Sequence, residues 1–347
     1  MIPGENAYTA YTRGTRGRGQ SRDRDGQDVG LSRERPRHGV IDVGSNTIHL
    51  LVGEVDDGSV VPITGEKVSA RLGSGVERTG RIEDRRLELG ASAIEMFAEI
   101  SALGGAPEPA VLATSAVRDA ENGPELAGKV WEATGLGVRL ISGEEEALLG
   151  FRGALSAGSW AGISWETPTL VVDLGGGSAQ LILGDAGEGP TDRVSLPLGT
   201  NRTTERYVEH DPPAPGELSR LREGVLETLP RWEIPREAPI VAVGGSARAI
   251  VKITRDRLTP ERLRGLAAEI SDRPSGVLAR EQGLAPERAR VLPAAAETLG
   301  AVLDHFKHRG REHLVVVRGG IREGAILTMA EELGEMGEMG TPVKEGA

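Results

Sequence analysis

Residues 41–55, IDVGSNTIHLLVGEV, and residues 171–185, VVDLGGGSAQLILGD, are two versions of one template. In each, an apolar strand-like run carries an aspartate near its end (Asp42, Asp173), a turn rich in Gly, Ser and Asn follows, and a second strand-like run begins. A carboxylate beside a loop whose backbone N–H groups point outward suits a metal-bound phosphate. The amides take the anion, and the acid takes the cation directly or through water. The two aspartates lie 131 residues apart (173 minus 42). A repeat at that distance predicts two related half-domains facing each other across one phosphate-holding cleft.

Composition agrees with two domains and excludes several other classes. At 347 residues the chain has room for two units of ~100–200 residues each. Only 3% of residues are aromatic, so the core must rest on Val, Leu, Ile and Ala. Cysteine is absent, which rules out disulfides, thiolate metal sites and a cysteine nucleophile, and leaves the cytoplasm as the default location. The net charge of -11 argues against nucleic acid as a partner. A polyanionic ligand must then be met by local arginines and a metal ion. Residues 1–37, with eight Arg and five acids and almost no apolar run, read as a flexible basic tail; a basic arm for acidic partners is the alternative. Residues 331–347 read as a flexible C-terminal tail. Neither a signal-peptide core nor a membrane span is legible, so no membrane partner is expected.

Past the tail, β-branched runs alternate with helical patterns, the mark of an α/β architecture. Strands are predicted at 39–43, 48–55, 110–113, 138–141, 169–173, 179–184, 239–243 and 314–317. Helices are predicted at 83–102, 123–134, 144–156, 201–209, 216–229, 246–254, 260–270, 275–281 and 294–309. The first domain spans 38–155 and the second 167–330, joined by the connector SAGSWAGISWETP.

Four further segments carry polar chemistry. LATSAVRDAEN (112–122) follows a strand and offers Thr114 and Ser115 as hydroxyl donors beside Arg118 and Asp119. SLPLGTNRTT (195–204) is a turn before a helix. IVAVGGSARA (240–249) runs into Gly244, Gly245 and Ser246 at a helix start, a third potential anion nest. ISGEEEALLGFRGAL (141–155) opens a helix with three glutamates, which helical geometry sorts. Ser142 with Glu145 fits a capping box. Glu144 shares the side of Leu148, Phe151 and Leu155. Glu146 falls on the opposite side, above Gly150 and Gly153 at i+4 and i+7, a nearly bare stripe suited to close approach. The blander reading of Glu146 is a solvated glutamate at a helix start.

These segments, with RLGSGV, LPLGTNR and IREGAIL, occur from His38 to Leu327 in an order that resembles the exopolyphosphatase and guanosine pentaphosphate phosphohydrolase family, within the superfamily of acetate kinase, actin and the sugar kinases. VGSNTIHLL, VRDAEN, LPLG and DPP (211–213) are most similar to the short actinobacterial exopolyphosphatases. The resemblance implies an α/β fold of two ribonuclease H-like domains with the active site between them. It implies Mg²⁺ as cofactor, and inorganic polyphosphate, of short chain, or guanosine pentaphosphate as substrate. A homodimer is compatible with it. The family's catalytic glutamate falls on Glu146, and a second acidic position falls on Asp119. The glycine loops map onto Gly44, Ser45 and Asn46, continuing to Thr47, and onto Gly175, Gly176, Gly177 and Ser178. His49 stands where many relatives have Arg, and Ala179 and Gln180 stand where many have Thr and Glu, which removes one carboxylate near the second loop.

The mechanism this reading expects is direct attack of water on the terminal phosphorus, with Glu146 as general base. Loop amides and Mg²⁺ near Asp42 or Asp173 balance charge on the transferred group. Ser45, Thr114 and Ser178 orient its oxygens, and Arg71 and Arg118 are candidate cationic contacts further along the substrate. Two other classes stay open: a phosphotransferase that conserves the phosphate in an acceptor such as ADP, and a silent sensor of polyphosphate or guanosine polyphosphates.

Overall fold

The computed structural model describes residues 35–158, 163, 165–214, 216–306 and 313–334. Its frame is two five-stranded sheets. The first contains β1 (His38–Val43), β2 (Ile48–Asp56), β3 (Ser59–Val68), β4 (Ala110–Ala113) and β5 (Val138–Leu140), in the order β3-β2-β1-β4-β5. The second contains β6 (Thr169–Leu174), β7 (Ala179–Asp185), β8 (Gly189–Leu196), β9 (Ile240–Val243) and β10 (Leu314–Val316), in the order β10-β9-β6-β7-β8. Read from the opposite edge the second order is the first. Each is an antiparallel three-strand meander whose first strand also pairs in parallel with the fourth. This is the ribonuclease H-like arrangement expected of both halves.

The repeat holds in atomic detail. The register slips at Gly53 between β2 and β3 and at Gly184 between β7 and β8, again 131 apart (184 minus 53). In the first loop the Gly44 N–H donates to the Thr47 carbonyl at 3.3 Å; in the second the Gly175 N–H donates to the Ser178 carbonyl at 3.0 Å.

The first half of the chain supplies α1 (Val76–Thr79), α2 (Asp84–Leu103), α3 (Ser115–Asp119), α4 (Gly123–Thr134) and α5 (Gly143–Gly158). The second half supplies α6 (Thr200–Tyr207), α7 (Glu217–Thr228), α8 (Gly245–Thr254), α9 (Pro260–Ser271), α10 (Ser275–Gln282), α11 (Pro286–Phe306) and α12 (Ile321–Glu332). One face of the first sheet packs Ile41, Val43 and Leu50 against Phe97 of α2 and Leu126 of α4. One face of the second packs Leu170, Val172 and Leu181 together with Ile250, Leu263 and Leu299. The other two faces are joined by an exchange of helices. Helix α5 lies on β6, β7 and β8 through Ala147, Phe151 and Ala154, whereas α12 lies on β1 and β2 through Ala325 and Ile326. Phe151, edge-on to Trp165 at 6.4 Å between ring centres, contributes ~2–3 kcal/mol by burial. Leu149 packs on the α12 side, so α5 is buried on two sides and the single apolar face drawn through Leu148 was too narrow.

Strands β3 and β8 escape the sequence reading for one reason. Both are edge strands, largely exposed, so they lack the apolar alternation that marks a half-buried strand. Each carries a proline, Pro62 and Pro190, tolerated where no neighbour needs the N–H. Helix α11 starts at Pro286 rather than 294 and continues through Pro293. An internal proline costs ~3 kcal/mol in a free helix, and the unbroken buried run of α11 from Val291 to Leu303 offsets it. The short helices α1 and α3 were also unexpected. Most of the N-terminal tail, five residues of the connector, residues 307–309 and most of the C-terminal tail lie outside the described residues. No helix among the described residues is long and apolar enough to cross a membrane.

Candidate active site

The repeated loops meet at one cleft. Asp42, Gly44, Ser45, Asn46 and Thr47 line it from the first half, with Thr114 and Ser115 after β4. Asp173, Gly175, Gly176, Gly177 and Ser178 line it from the second, with Gly244, Gly245 and Ser246 where β9 turns into α8. Glu146 enters from α5. The loops touch. The Ser45 and Ser115 hydroxyls are 3.1 Å apart, and the Asn201 amide donates to Asn46 Oδ1 at 2.5 Å. A Cβ on Gly177 would stand 2.4 Å from Ser115 Oγ and 2.6 Å from Ser45 Oγ, so only glycine lets the second loop approach the first.

Three carboxylates line this cleft, and burial outweighs the pull of the arginines around them. Burial, only partly opposed by Arg322, raises Asp42 to about 7. Burial raises Asp173 to about 6, opposed by Arg248. Burial and then the Asp173 charge raise Glu146 to about 8. Arg118 Nη1 lies 3.6 Å from Glu146 Oε2, an ion-pair distance too long for a hydrogen bond, and both that oxygen and Asp42 Oδ1 are buried without a hydrogen-bond partner. Buried carboxylate oxygens without a hydrogen-bond partner are the kind of donor a hard divalent cation takes, but Asp42, Asp173 and Glu146 do not bring one oxygen each within 4.8 Å of one another.

The shifts set a pH dependence. An acid whose folded pKa is raised leaves the native state holding more protons than the unfolded chain, so stability falls as pH climbs from the unfolded value through the folded one. His49, paired in register with Asp42, is pushed down to about 3 by burial and by surrounding cations led by Arg322 and Arg248. Its contribution is lost only as pH falls below the ordinary histidine range, so above pH 6.5 the acids act alone. In chelator, raising the pH from 6.5 to 8.5 is expected to cost on the order of 2 kcal/mol, or about 3 °C in Tm. Millimolar Mg²⁺ should recover most of that. Scanning calorimetry with and without the metal checks it, and a Tm unmoved by pH in chelator would contradict the acid cluster.

Several cations in the cleft were not singled out by the sequence reading. Arg248, Arg288, Arg318 and Arg322 line it, with Glu323. Beyond them the cleft continues into a groove that shares Asn46, Thr47, His49, Gly245, Arg248 and Arg288 and adds Lys67, Arg71, Lys252 and Glu287. Burial lowers the pKa of Arg248 and of Arg288, so both guanidinium groups gain from a bound anion. These side chains come from β3, α8, α11 and the approach to α12, too far apart in sequence for any local pattern. The GGSARA and IREGAIL segments, Gly-rich turns followed by Arg in a first helical turn, were the available clue to Arg248 and Arg322.

The remaining candidates stand beside the cleft rather than in its lining. Arg71 lies in the groove, 3.6 Å from Glu287. Arg118 donates to the Ile141 carbonyl at 2.8 Å and so braces the residue before the α5 cap as well as Glu146. Asp119 is ion-paired with Arg202 of α6, whose Nε donates to the Gly177 carbonyl at 2.9 Å. Arg202 also reaches Glu77 at 3.0 Å, tying the halves together behind the second loop. Ser142 caps α5 by accepting the Glu145 N–H at 3.1 Å, whereas the Glu145 carboxylate turns to Arg139 at 2.7 Å instead of closing the box. Glu144 is exposed.

Mirrored glycine loops closing on one acid-lined cleft define a two-lobed phosphate-handling protein of ribonuclease H-like fold. The chain belongs to the Ppx/GppA phosphatase family, whose model matches residues 51–333. It is 32% identical to exopolyphosphatase 1 of Mycobacterium tuberculosis over 309 residues, covering 84% of this chain and 87% of that protein. Exopolyphosphatase 1 of Mycobacterium leprae is 31% identical over 84% of this chain and 88% of its own. Among solved structures, the Ppx/GppA family member of Aquifex aeolicus superposes with a TM-score of 0.71 at 25% identity, covering 86% of this chain and 98% of that one.

Proposed function

We propose that the chain is an exopolyphosphatase that hydrolyses the terminal phosphoanhydride bond of inorganic polyphosphate and releases orthophosphate. The observation that carries the reading is the position of Glu146: a buried, under-neutralised carboxylate facing the same space as both glycine loops. A pure binder of anions gains nothing from a carboxylate there. The relatives named exopolyphosphatase support the same substrate.

In this reading the terminal phosphoryl group sits on the amides of Ser45–Thr47 and Gly176–Ser178, the Gly44 and Gly175 N–H groups being spent on closing their own turns, with the Gly244–Ser246 turn as a third donor group. Glu146 holds a water and takes its proton as the water attacks phosphorus, and Arg118 keeps that carboxylate aimed. Ser45 and Ser178 donate to the equatorial oxygens, while the Thr114 hydroxyl is held on the Val43 carbonyl at 3.3 Å. Asp42 and Asp173 would hold Mg²⁺, which when bound offsets charge on the transferred group. Asp119 acts at one remove, by fixing Arg202 under the Gly177 carbonyl. The rest of the substrate leaves through the basic groove.

Release of phosphate from short polyphosphate, long polyphosphate, guanosine pentaphosphate and ATP, each with Mg²⁺, tests the assignment. Polyphosphate should lead by at least tenfold. A preference for guanosine pentaphosphate would move the assignment to the other family activity, ATP formed from polyphosphate and ADP would make it a phosphotransferase, and binding without release would make it a sensor. The groove adds a quantitative expectation. Lys67→Ala with Lys252→Ala should raise KM for long polyphosphate about 5- to 20-fold at low salt, from ~1–2 kcal/mol of lost charge-assisted contact, with less effect on a short chain and little on kcat. Steady-state kinetics across chain lengths measure this.

A further inference from the structure

Both glycine loops are held from behind by their carbonyls. In the first, the Gly73 N–H donates to the Ser45 carbonyl at 2.9 Å and the Arg71 N–H to the Asn46 carbonyl at 3.0 Å. In the second, the Thr200 N–H donates to the Gly175 carbonyl at 2.9 Å and the Asn201 N–H to the Gly176 carbonyl at 2.8 Å. A trans peptide points its C=O and N–H in opposite directions, so a carbonyl tied back turns the next residue's N–H the other way, toward the cleft. The Gly177–Ser178 peptide differs. Its carbonyl is held by a side chain, with Arg202 Nε donating at 2.9 Å.

That side chain belongs to both halves. Arg202 stands on α6 of the second half, but its other two nitrogens are taken by acids of the first. Nη1 lies 3.0 Å from Glu77 Oε2 on α1, and Nη2 pairs with Asp119 at the end of α3. A planar guanidinium with all three nitrogens engaged has one orientation. Without the two acids it is a long side chain with its rotamers free, and the Gly177 carbonyl loses a fixed donor. A Cβ on Gly199 would fall 2.3 Å from the Gly177 carbonyl carbon and 2.4 Å from the Ser178 nitrogen, so the approach to α6 fixes where this peptide lies. The Arg202 bond sets which way it is turned, since glycine at 177 leaves the backbone free to turn. A reversed peptide would present its carbonyl oxygen to the phosphoryl group and repel it.

We propose that Arg202 is a positioning residue that turns the Ser178 N–H into the cleft only when the two halves are together, so that closure onto Glu77 and Asp119 completes the set of amide donors. The inference rests on the hydrolytic reading of the cleft and adds to it a link between domain closure and transition-state binding. Arg206, one helical turn further along α6, also pairs with Glu77 across the halves, but the bond to the Gly177 carbonyl is made by Arg202. A mere tie between the halves would make the two arginines equivalent.

The test uses the full chain with Mg²⁺ and polyphosphate and compares wild type, Arg202→Ala, Arg202→Lys, Glu77→Gln, Arg206→Ala and the double variant Arg202→Ala/Glu77→Gln. Arg202→Ala is expected to lower kcat about 10- to 100-fold, below the ~10²–10³ of a deleted oxyanion donor, with KM within about threefold. Arg202→Lys keeps the charge but cannot span three partners. It should lose nearly as much, and it supplies the measurement if the alanine variant fails to fold. Glu77→Gln should lose about two- to fivefold, the scale of a partly exposed ion pair, and nothing further once Arg202 is gone. Arg206→Ala should keep kcat within about twofold. Wild-type kcat in Arg202→Lys, an Arg206→Ala variant as slow as Arg202→Ala, or losses at Glu77 and Arg202 that multiply would overturn the proposal. Orthovanadate binding by calorimetry reads the site without turnover, and Arg202→Ala should weaken it by about tenfold or more. If wild type releases no phosphate but the vanadate loss holds, the hydrolytic reading fails and the positioning role stands. Active wild type with Arg202→Ala at full kcat sinks the positioning role alone.

Discussion

Glu146→Gln is expected to lower phosphate release from polyphosphate by about 10²- to 10⁴-fold, the range for loss of a general base, while polyphosphate still binds at least as tightly as to wild type. The substitution keeps the shape of the side chain and its contact with Arg118 but removes the atom that can take a proton. It also removes one negative charge from a cluster already crowded by Asp42 and Asp173. Polyanion affinity should therefore hold or rise, and in chelator at pH 8.5 the variant should melt higher than wild type, because its buried charge is the one raised furthest. Single-turnover phosphate release, calorimetric binding and thermal melts give the three readings. A variant retaining more than a tenth of wild-type turnover would remove Glu146 from the role of base.

Gly153→Ala should destabilise the protein by about 3 kcal/mol, at the upper end of what overpacking a tight core costs. A Cβ at Gly153 would lie 2.0 Å from the Gly320 carbonyl oxygen and 2.6 Å from the Gly320 nitrogen, and these are backbone atoms that cannot swing aside. The contact is mutual: a Cβ on Gly324 would fall 1.9 Å from the Leu149 carbonyl. Helices α5 and α12 thus cross with their backbones touching. Alanine is the better helix former by ~1 kcal/mol, so the substitution tests whether close approach outweighs propensity. Gly128→Ala in α4 is the matched control, since a Cβ there meets nothing within 4 Å and should be neutral or mildly stabilising. Urea midpoints for the two variants settle the comparison. Separating α5 from α12 also moves Glu146 relative to Arg322 and Glu323, so the residual folded protein should be slower as well as weaker.

The repeated loops were legible because turn chemistry is local. Gly44 and Gly175 with their neighbours follow buried strands whose apolar runs identify themselves, and β6, buried at every position, is the plainest case. Glu146 could be separated from Glu144 and Glu145 by helical spacing alone. Other features were not available to such reasoning. The edge strands β3 and β8 gain their structure from a partner strand, not from a burial pattern of their own. Helix α11 overrides Pro293 because burial along its length outweighs one lost hydrogen bond and a local clash. Asp119, adjacent to Arg118 in sequence, turns out to be held by Arg202, 83 residues away.

From residues alone came the duplicated α/β plan, the two anion-binding turns and the acid over a glycine stripe, since each depends on neighbours within a few positions along the chain. The exchange of α5 and α12 between sheets, the arginines gathered from α8, α11 and the start of α12, and the raised pKa values of three acids were decided only on folding. Those properties depend on distance through space and on exclusion of water, and the linear order of amino acids encodes neither until packing is complete.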